Sequence, residues 1–162
     1  MLLWVVNKHY SILRFIILMK KSVKIFFVLL LAAFIVTNYI NEYKLVRVTE
    51  VIDGDTFKIG YQSVRLIGIN TPEKGEKCYA DATNALKELI EYRLVRLEKD
   101  SKDQDDYGRL LRYVYVDDLF VNEEMVRLGM ARFDEIPPNT RYSELFLEME
   151  EKAKKVGRCI WN

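Results

Sequence analysis

The sequence predicts an α+β fold, mainly a small β barrel with helices, preceded by an apolar N-terminal helix. Three features predict it: short runs rich in β-branched residues, amphipathic segments among and after them, and one long uncharged apolar stretch near the N-terminus. Half of the 162 residues are hydrophobic and 12% are aromatic, so the chain can bury a substantial core. This length is typical of one domain with an additional segment.

Residues 19–40 have the composition of a signal peptide or a transmembrane anchor. They open with the basic sequence MKK and continue with an uncharged apolar run from Ile25 to Val36. With the residues up to Ile40 included, the stretch reaches about the minimum length of a tilted membrane span. No small residues suitable for cleavage follow the run, so we favour an uncleaved anchor over a cleaved signal peptide. Residues 1–18 stay unassigned.

The charges of this segment predict its orientation. By the positive-inside rule, the basic residues Lys20, Lys21 and Lys24 stay on the cytoplasmic side of a lipid bilayer. Residues 41–162 would then form a membrane-anchored domain outside the cytoplasm. Secretion after signal cleavage is the alternative.

Five strand-like runs follow, at residues 43–52, 55–60, 62–69, 93–100 and 109–118. They are rich in β-branched, leucine or aromatic residues, in partial alternation with polar ones, which is typical of strands. The segment GYQS reads as a turn between the second and third runs.

Three helices are predicted at residues 80–92, 121–129 and 141–156. In each of them, apolar residues recur along one face at helical spacing, and Gly129 is a natural C-terminal cap for the second helix. Five short strands with a helix between the third and the fourth form the pattern of an OB-fold barrel. Such barrels often bind oligonucleotides on an open face, but fold alone does not determine function.

The predicted domain is mildly acidic, although the whole chain is not. The formal net charge is +1, but residues 1–40 carry five Lys or Arg and no acid, which leaves 20 basic and 24 acidic residues in the rest. A protein that binds nucleic acid through its overall electrostatic field would instead be basic. Any phosphate ligand must therefore be held by local arginines or by a metal ion.

Three separated segments carry the groups needed to cut a phosphodiester. In VIDGDT, VRLIGINTPE and DDYGRLLRYV these groups are Asp55, Arg65, Asn70, Thr71, Glu73, Tyr107 and Arg109. Together they supply oxygen ligands for a hard cation, a carboxylate base and two guanidiniums. The remaining acid, Asp53, precedes Gly54 in a typical turn pair and is more readily a turn former than a ligand.

The motifs VIDGDT, RLIGINTPE, DYGRLLRYVYV and VNEEMVRLGMAR, with IW near the C-terminus, resemble the staphylococcal nuclease (thermonuclease) family. The resemblance covers about residues 44–161, with the motifs in the same order at compatible spacing. It implies an enzyme that uses Ca²⁺ to hydrolyse phosphodiester bonds of DNA and RNA with little sequence preference. Cleavage of the 5′ P–O bond would leave 3′-phosphate ends. The expected partners are nucleic acid and, through the N-terminal helix, a lipid bilayer, and the domain is expected to be monomeric.

The resemblance also implies a calcium site. Asp55 matches the first metal-binding carboxylate, and Thr71 would offer its backbone carbonyl. Asn70 stands where the family usually has a second carboxylate, from an aspartate. Asparagine keeps a carbonyl oxygen but loses a negative charge, so divalent binding should be weaker.

The remaining matches concern the substrate. Glu73 would activate or orient the attacking water, and Arg65 and Arg109 would bind the scissile phosphate. A planar guanidinium suits this role because it pairs with two phosphate oxygens. Tyr107 would line the nucleotide site, although a simple packing role is an open alternative.

Two positions depart from the family at the rim of the nucleotide site. Asp106 replaces a lysine of the family's best-known member, and a carboxylate there would repel a second phosphate. Asp134 occupies the approximate place of a tyrosine that stacks on a base. The resemblance therefore implies a largely retained cutting centre with an altered rim.

The chain has two cysteines, Cys78 and Cys159. In a domain outside the cytoplasm, a pair of cysteines favours a disulfide. In the resembled fold both chain regions lie on the helical side of the barrel, so we predict a Cys78–Cys159 bridge.

Two other kinds of function stay open. A non-catalytic, membrane-tethered OB module that binds nucleic acid is favoured by Asn70 and opposed by the presence of Arg65, Glu73 and Arg109. A tethered structural domain would have no measurable affinity for nucleic acid. Histidine chemistry is excluded for residues 41–162, because the single histidine of the chain is His9.

Overall fold

The computed structural model describes residues 21–42 and 44–162. Its first compact unit contains helix α1 (Lys21–Glu42), whose large apolar side chains from Ile25 to Val36 are exposed. Within the described ranges, no helix is long and apolar enough to cross a membrane. The predicted transmembrane helix at residues 19–40 is therefore not supported, and its first two residues, like residues 1–18, lie outside the described part.

The second compact unit, Tyr43–Asn162, has the predicted α+β architecture of an OB fold. Its strands are β1 (Leu45–Arg47), β2 (Glu50–Val51), β3 (Thr56–Ile59), β4 (Gln62–Leu66), β5 (Ile69–Asn70), β6 (Leu94–Glu98), β7 (Leu110–Val116), β8 (Leu119–Phe120) and β9 (Arg132–Phe133). Its helices are α2 (Tyr79–Ile90), α3 (Val121–Arg127) and α4 (Ser143–Val156), followed by a 3₁₀ turn at Cys159–Trp161.

The barrel closes because the continuous segment that contains β1 and β2 changes its pairing partner between these two strands. Strand β1 pairs antiparallel with β6, whereas β2 pairs antiparallel with β3. The switch occurs between two residues: the Val48 N–H donates to the Arg93 carbonyl at 3.0 Å, and the Thr49 N–H donates to the Lys58 carbonyl at 2.9 Å. β1 and β2 thus form the two ends of the strand order β1–β6–β7–β4–β3–β2, and their covalent connection closes the sheet on itself.

A parallel pairing brings two distant segments side by side. β4 and β7 run parallel, with Arg65 opposite Leu111, and β3 pairs antiparallel with β4, with Thr56 opposite Arg65. Arg109 immediately precedes β7. Arg65 on β4 and Arg109 at the start of β7 are therefore brought to neighbouring parts of the sheet, although they are far apart in the sequence.

The predicted strand at residues 62–69 is wrong at one point, because Gly68 interrupts it. Gly68 has φ +78, and a Cβ on it would lie 2.5 Å from the ring of Phe146 on α4. Only glycine combines this backbone conformation with so close a contact. After this turn, β5 pairs antiparallel with β9 instead of continuing β4, and this change of direction sets the position of Asn70.

The core lies between the barrel and its helices. Alternate residues of β4 enter it, whereas four consecutive residues of β7, from Leu111 to Val114, are buried. Helices α2, α3 and α4 each contribute one face, as their sequence periodicity predicts. Its largest fully buried side chains are Tyr113, Phe57, Phe146, Leu66, Ile67, Ile69, Leu86, Ile90, Leu111, Met125, Val48 and Val64.

A buried amide connects three parts of this core. Asn122 on α3 is fully buried, and its Nδ2 donates to the Ile67 carbonyl at 2.9 Å. Its Oδ1 accepts the Val114 N–H of β7, also at 2.9 Å. The side chain therefore satisfies backbone groups that the turn at Gly68 leaves without strand partners.

Replacement of Asn122 by alanine should lower the unfolding free energy by about 2–3 kcal/mol, because it leaves a buried N–H and a buried carbonyl without partners. Urea unfolding measures the change. Glu123→Ala, at the neighbouring position of α3, is the control and should stay within about 0.5 kcal/mol of wild type. Equal losses in the two variants would contradict a specific role for the amide.

The predicted disulfide is present between Cys78 and Cys159, 81 positions apart in the sequence. It joins the start of α2 to the 3₁₀ turn that follows α4. The bridge also ends the loop that begins at Asn70 and includes Glu73. This part of the predicted site is therefore anchored at one end by a strand and at the other by a covalent crosslink.

A Cys78→Ala, Cys159→Ala variant should lose about 4 kcal/mol of unfolding free energy, since removal of the crosslink frees a long loop in the unfolded chain. Urea unfolding of the oxidised protein and of the variant measures the loss. Reduced wild-type protein should match the variant, which separates the crosslink from the packing of the sulfur atoms. A loss of less than about 1 kcal/mol would show that the unfolded chain is not constrained in this way.

Candidate active site

The predicted site residues converge at one end of the barrel. Asp55 immediately precedes β3, Arg65 lies on β4, Asn70 ends β5 and Arg109 immediately precedes β7. The antiparallel β3–β4 pair and the parallel β4–β7 pair bring these segments together. Four strand ends therefore supply one cluster of polar side chains.

Asp55 is the centre of this cluster, with 4% of its surface exposed. Its Oδ2 accepts hydrogen bonds from the N–H and the hydroxyl of Thr71, at 3.1 and 3.2 Å. Its Oδ1 accepts the Thr56 hydroxyl at 2.9 Å and forms an ion pair with Nη1 of Arg65. Both carboxylate oxygens are therefore held in fixed directions, as a buried negative charge requires.

Asp53 has the turn-forming role that the sequence favours. Its Oδ1 accepts the N–H of Asp55 at 3.1 Å across the turn. Burial, and then the negative charge of Asp55, raise the pKa of Asp53, while hydrogen bonds from the turn lower it. The side chain closes the turn that delivers Asp55 to the site.

Arg65 bridges two of the predicted metal ligands. Besides its ion pair with Asp55, its Nη2 donates to Oδ1 of Asn70 at 2.9 Å. The carboxylate and the amide oxygen therefore point at one positive group. Oxygen donors that converge in this way fit a hard divalent cation such as Ca²⁺, with the Thr71 carbonyl as the third predicted donor. A cation bound to these oxygens would compete with Arg65 for their lone pairs.

Arg109 is connected to the same cluster through Thr56. Its Nη1 donates to the Thr56 hydroxyl oxygen at 3.4 Å, and that hydroxyl donates to Asp55. Its Nε donates to Oδ2 of Asp105 at 2.7 Å. Asp105 was not predicted as a site residue, because it stands in what reads as a charged loop. Its position four residues before Arg109, around the turn at Tyr107, is the only sign of the contact in the sequence.

Glu73 opens onto a cavity beside the cluster. The cavity has a volume of about 470 Å³ and is lined by Asn70, Thr71, Pro72, Glu73, Glu76, Lys77, Arg132 and Ile160. The Glu73 side chain is exposed, and its backbone N–H donates to Oε2 of Glu76 at 2.8 Å. This places the predicted base next to the amide of Asn70, in space that a water molecule and a substrate can enter.

The rim residues differ in their surroundings. Tyr107 is largely exposed, and its ring centroid lies 5.5 Å from the Arg109 guanidinium carbon. Asp106 forms an exposed ion pair with Lys102 at 3.1 Å, which offsets part of the negative charge that would repel a phosphate. The backbone N–H of Asp134 donates to the Gly68 carbonyl at 3.0 Å.

The Asp105 carboxyl has a lowered pKa. Burial raises this pKa, but hydrogen bonds from the Arg109 side chain and backbone, the Arg109 charge and the Tyr107 N–H together lower it below its ordinary value. A carboxyl whose pKa is lower in the folded state stabilises the protein above its unfolded pKa of about 4. This contribution is lost as the pH falls through the folded-state pKa.

The unfolding free energy should therefore decline below pH about 4 in part because Asp105 takes up a proton. An Asp105→Asn variant should be less stable than wild type at neutral pH and should show a shallower decline in acid. Urea unfolding at several pH values measures both effects. Asp118→Asn, which changes an exposed carboxylate in the turn after β7, should leave the slope unchanged; identical slopes for wild type and Asp105→Asn would refute the assignment.

Comparisons with known proteins agree with this arrangement. The sequence model of the staphylococcal nuclease homologue family matches residues 63–162. The chain is 40% identical over 136 residues to endonuclease YncB of Bacillus subtilis (strain 168), covering 75% of this chain and 64% of that protein. It is 34% identical over 130 residues to the thermonuclease of Staphylococcus hyicus, covering 74% of this chain and 75% of that protein.

A further relative is the SPbeta prophage-derived endonuclease YokF of Bacillus subtilis (strain 168), 40% identical over 123 residues, or 68% of this chain. The match spans 42% of that protein's length. The chain thus matches less than two thirds of the length of either Bacillus relative, but three quarters of the Staphylococcus hyicus protein.

Proposed function

The chain belongs to the staphylococcal nuclease family, and from this premise we propose that it hydrolyses phosphodiester bonds of DNA and RNA in a calcium-dependent reaction with low sequence specificity. The observation that carries the proposal is the bridge made by Arg65 between Asp55 and Asn70, with Arg109 connected through Thr56. Three distant segments supply the oxygen ligands and the two guanidiniums that phosphodiester cleavage needs.

The two arginines bind the substrate. Arg65 and Arg109 each present a cationic guanidinium, and their terminal nitrogens lie around the same carboxylate-centred cluster. A phosphate that enters the cluster exchanges the hydrogen bonds of these nitrogens for bonds to its own oxygens. The guanidiniums then stabilise the negative charge that develops on the phosphate oxygens during attack by water. This local cation pair also explains how an acidic domain can bind a polyanion.

Calcium, when bound to Asp55, Asn70 and the Thr71 carbonyl, would supply further charge stabilisation at the phosphate. Hydrogen bonds from Thr56 and Thr71 orient the Asp55 carboxylate. Glu73 accepts a proton from the attacking water, in the open space next to Asn70. Attack at phosphorus with departure of the 5′ oxygen leaves a 3′-phosphate end.

The disulfide supports a location outside the cytoplasm. Disulfides persist in oxidising compartments and are rare in the reducing cytosol. Since Cys78 and Cys159 are bonded to each other, we propose that the nuclease unit is exported.

Replacement of Glu73 by glutamine should lower kcat by about 100- to 10,000-fold, because the amide cannot accept the proton of the attacking water. Binding of a single-stranded oligonucleotide should change less than threefold. Cleavage assays with calcium and a chelator control, together with fluorescence anisotropy, measure the two effects. Glu144→Gln, which removes the charge of an exposed acid at the start of α4, is the control for charge. A non-catalytic binding module, which Asn70 favours, predicts no cleavage by wild type and no effect of Glu73→Gln.

Replacement of Asn70 by aspartate should lower the calcium concentration needed for half-maximal cleavage about tenfold or more, since it restores a second carboxylate to the ligand set. A calcium titration of cleavage rate measures it, and isothermal calorimetry with calcium alone gives a readout that needs no activity. An unchanged calcium midpoint in both measurements would mean that Asn70 is not a ligand.

A further inference from the structure

We propose that Asp105 is a positioning residue for the proposed reaction: it fixes Arg109 so that the terminal guanidinium nitrogens point toward Thr56 and Asp55. The inference rests on the proposed role of Arg109 in phosphate binding. It adds a residue outside the set that the sequence motifs indicate. Its basis is a pattern of hydrogen bonds in which the two carboxylate oxygens have separate tasks.

The first oxygen of Asp105 builds the turn. Its Oδ1 accepts the backbone N–H groups of Tyr107 and Arg109, at 3.0 and 2.9 Å. The backbone of Asp105 closes the same turn, because its N–H donates to the Arg109 carbonyl at 3.1 Å and its carbonyl accepts the Gly108 N–H at 3.1 Å. These hydrogen bonds fix the backbone of Arg109 independently of its side chain.

The second oxygen holds the side chain. Oδ2 accepts Nε–H of Arg109 at 2.7 Å, a charge-assisted bond that fixes the plane of the guanidinium. With Nε occupied, the terminal nitrogens remain for other partners, and Nη1 lies 3.4 Å from the Thr56 hydroxyl. A guanidinium held by its Nε edge leaves its two terminal nitrogens for a phosphate.

The loop that carries Asp105 is itself attached firmly to the barrel. Arg112 on β7 is buried, with 5% exposed, and its Nη2 forms an ion pair with Asp103 at 2.9 Å. The Asp103 carbonyl accepts Nη1 of Arg112 at 3.1 Å and the Leu111 N–H at 2.9 Å. On the other side of the loop, the buried Asn139 side chain binds both the N–H and the carbonyl of Lys102, at 2.6 and 2.9 Å. The loop that carries Asp105 is therefore held to the barrel, so Asp105 can hold Arg109 in a defined position.

Without the contact to Oδ2 of Asp105, the Arg109 side chain can adopt other positions. The exposed ring of Tyr107 lies 5.5 Å from its guanidinium carbon, close enough to attract the cation over its face. Arg109 would then spend time away from the cluster and would have to return for each catalytic event. A misplacement of about 1 Å in a catalytic group can lower the rate about 100-fold.

Asp105→Asn isolates this contact. The asparagine oxygen can still accept the two backbone N–H groups of the turn, but an NH₂ group replaces the oxygen that accepts Nε–H. We expect kcat/KM for single-stranded DNA to fall about 10- to 100-fold, with most of the loss in kcat. Asp105→Glu, which keeps a carboxylate, should recover part of the activity. Asp118→Asn is the control for the lost charge and should stay within about twofold of wild type.

A double-mutant cycle separates positioning from other effects. In an Arg109→Ala background, Asp105→Asn should cause less than about a twofold further loss, because there is no guanidinium left to position. A full loss in both backgrounds would overturn the proposal, as would wild-type activity in Asp105→Asn alone.

One readout does not depend on nuclease activity. In ¹⁵N NMR spectra, the Arg109 Nε–H signal should be protected from exchange with water in wild type and lose that protection in Asp105→Asn. Absence of cleavage by wild type would reject the proposed nuclease function, and the NMR comparison would still decide the positioning. Equal exchange in wild type and variant would overturn it.

Discussion

The buried carboxylate of Asp55 is the constraint on which the rest of the site depends. A charge with 4% exposure needs hydrogen-bond donors and a countercharge, and it finds them in Thr56, Arg65 and Thr71. These partners come from β3, from β4 and from the segment after β5. Satisfying one carboxylate therefore brings three strand ends together. A buried ion pair often adds little net stability, so the main consequence of the Asp55–Arg65 pair is the geometry of the site.

The barrel supplies the geometry that this carboxylate needs. Parallel pairing of β4 with β7 places Arg109 near Arg65, and the turn at Gly68 redirects the chain so that Asn70 returns toward Arg65. The amide of Asn122 satisfies the backbone groups exposed by that redirection. The disulfide then holds the loop that carries Glu73 against the C-terminal turn. Each polar group of the site is thus supported by an element whose own position is set by packing or by a crosslink.

The charges of the site are arranged locally in a domain that is acidic as a whole. Arg65, Arg109 and Arg112 each have an aspartate partner in the described structure, and each partner fixes a direction. Asp106 is expected to repel a phosphate, but it forms an ion pair with Lys102. The electrostatic repulsion between this part of the rim and a polyanion is therefore weaker than the sequence indicates. Asn70 leaves the proposed metal site with one fewer charge, and Arg65 occupies its oxygens in this state. A cation bound at the proposed site would compete with Arg65 for these two oxygens and would free its guanidinium for substrate.

The sequence by itself determined the three helices of the nuclease unit and its longer strands, because periodicity and turn residues act locally. Its three short, contiguous motifs also named the candidate site residues. It also paired the two cysteines correctly through the resemblance. The change of pairing partner between Val48 and Thr49, the break at Gly68 and the short strand β9 were not predicted, since each depends on a distant partner. β8 pairs locally with the end of β7, but its two residues are too few to show a strand pattern in the sequence. The same is true of Asp105: its spacing from Arg109 is visible in the sequence, but a charged loop reads as solvated surface. Only the tertiary structure decides that its carboxylate faces inward, because Arg112 and Asn139 hold the loop against the barrel.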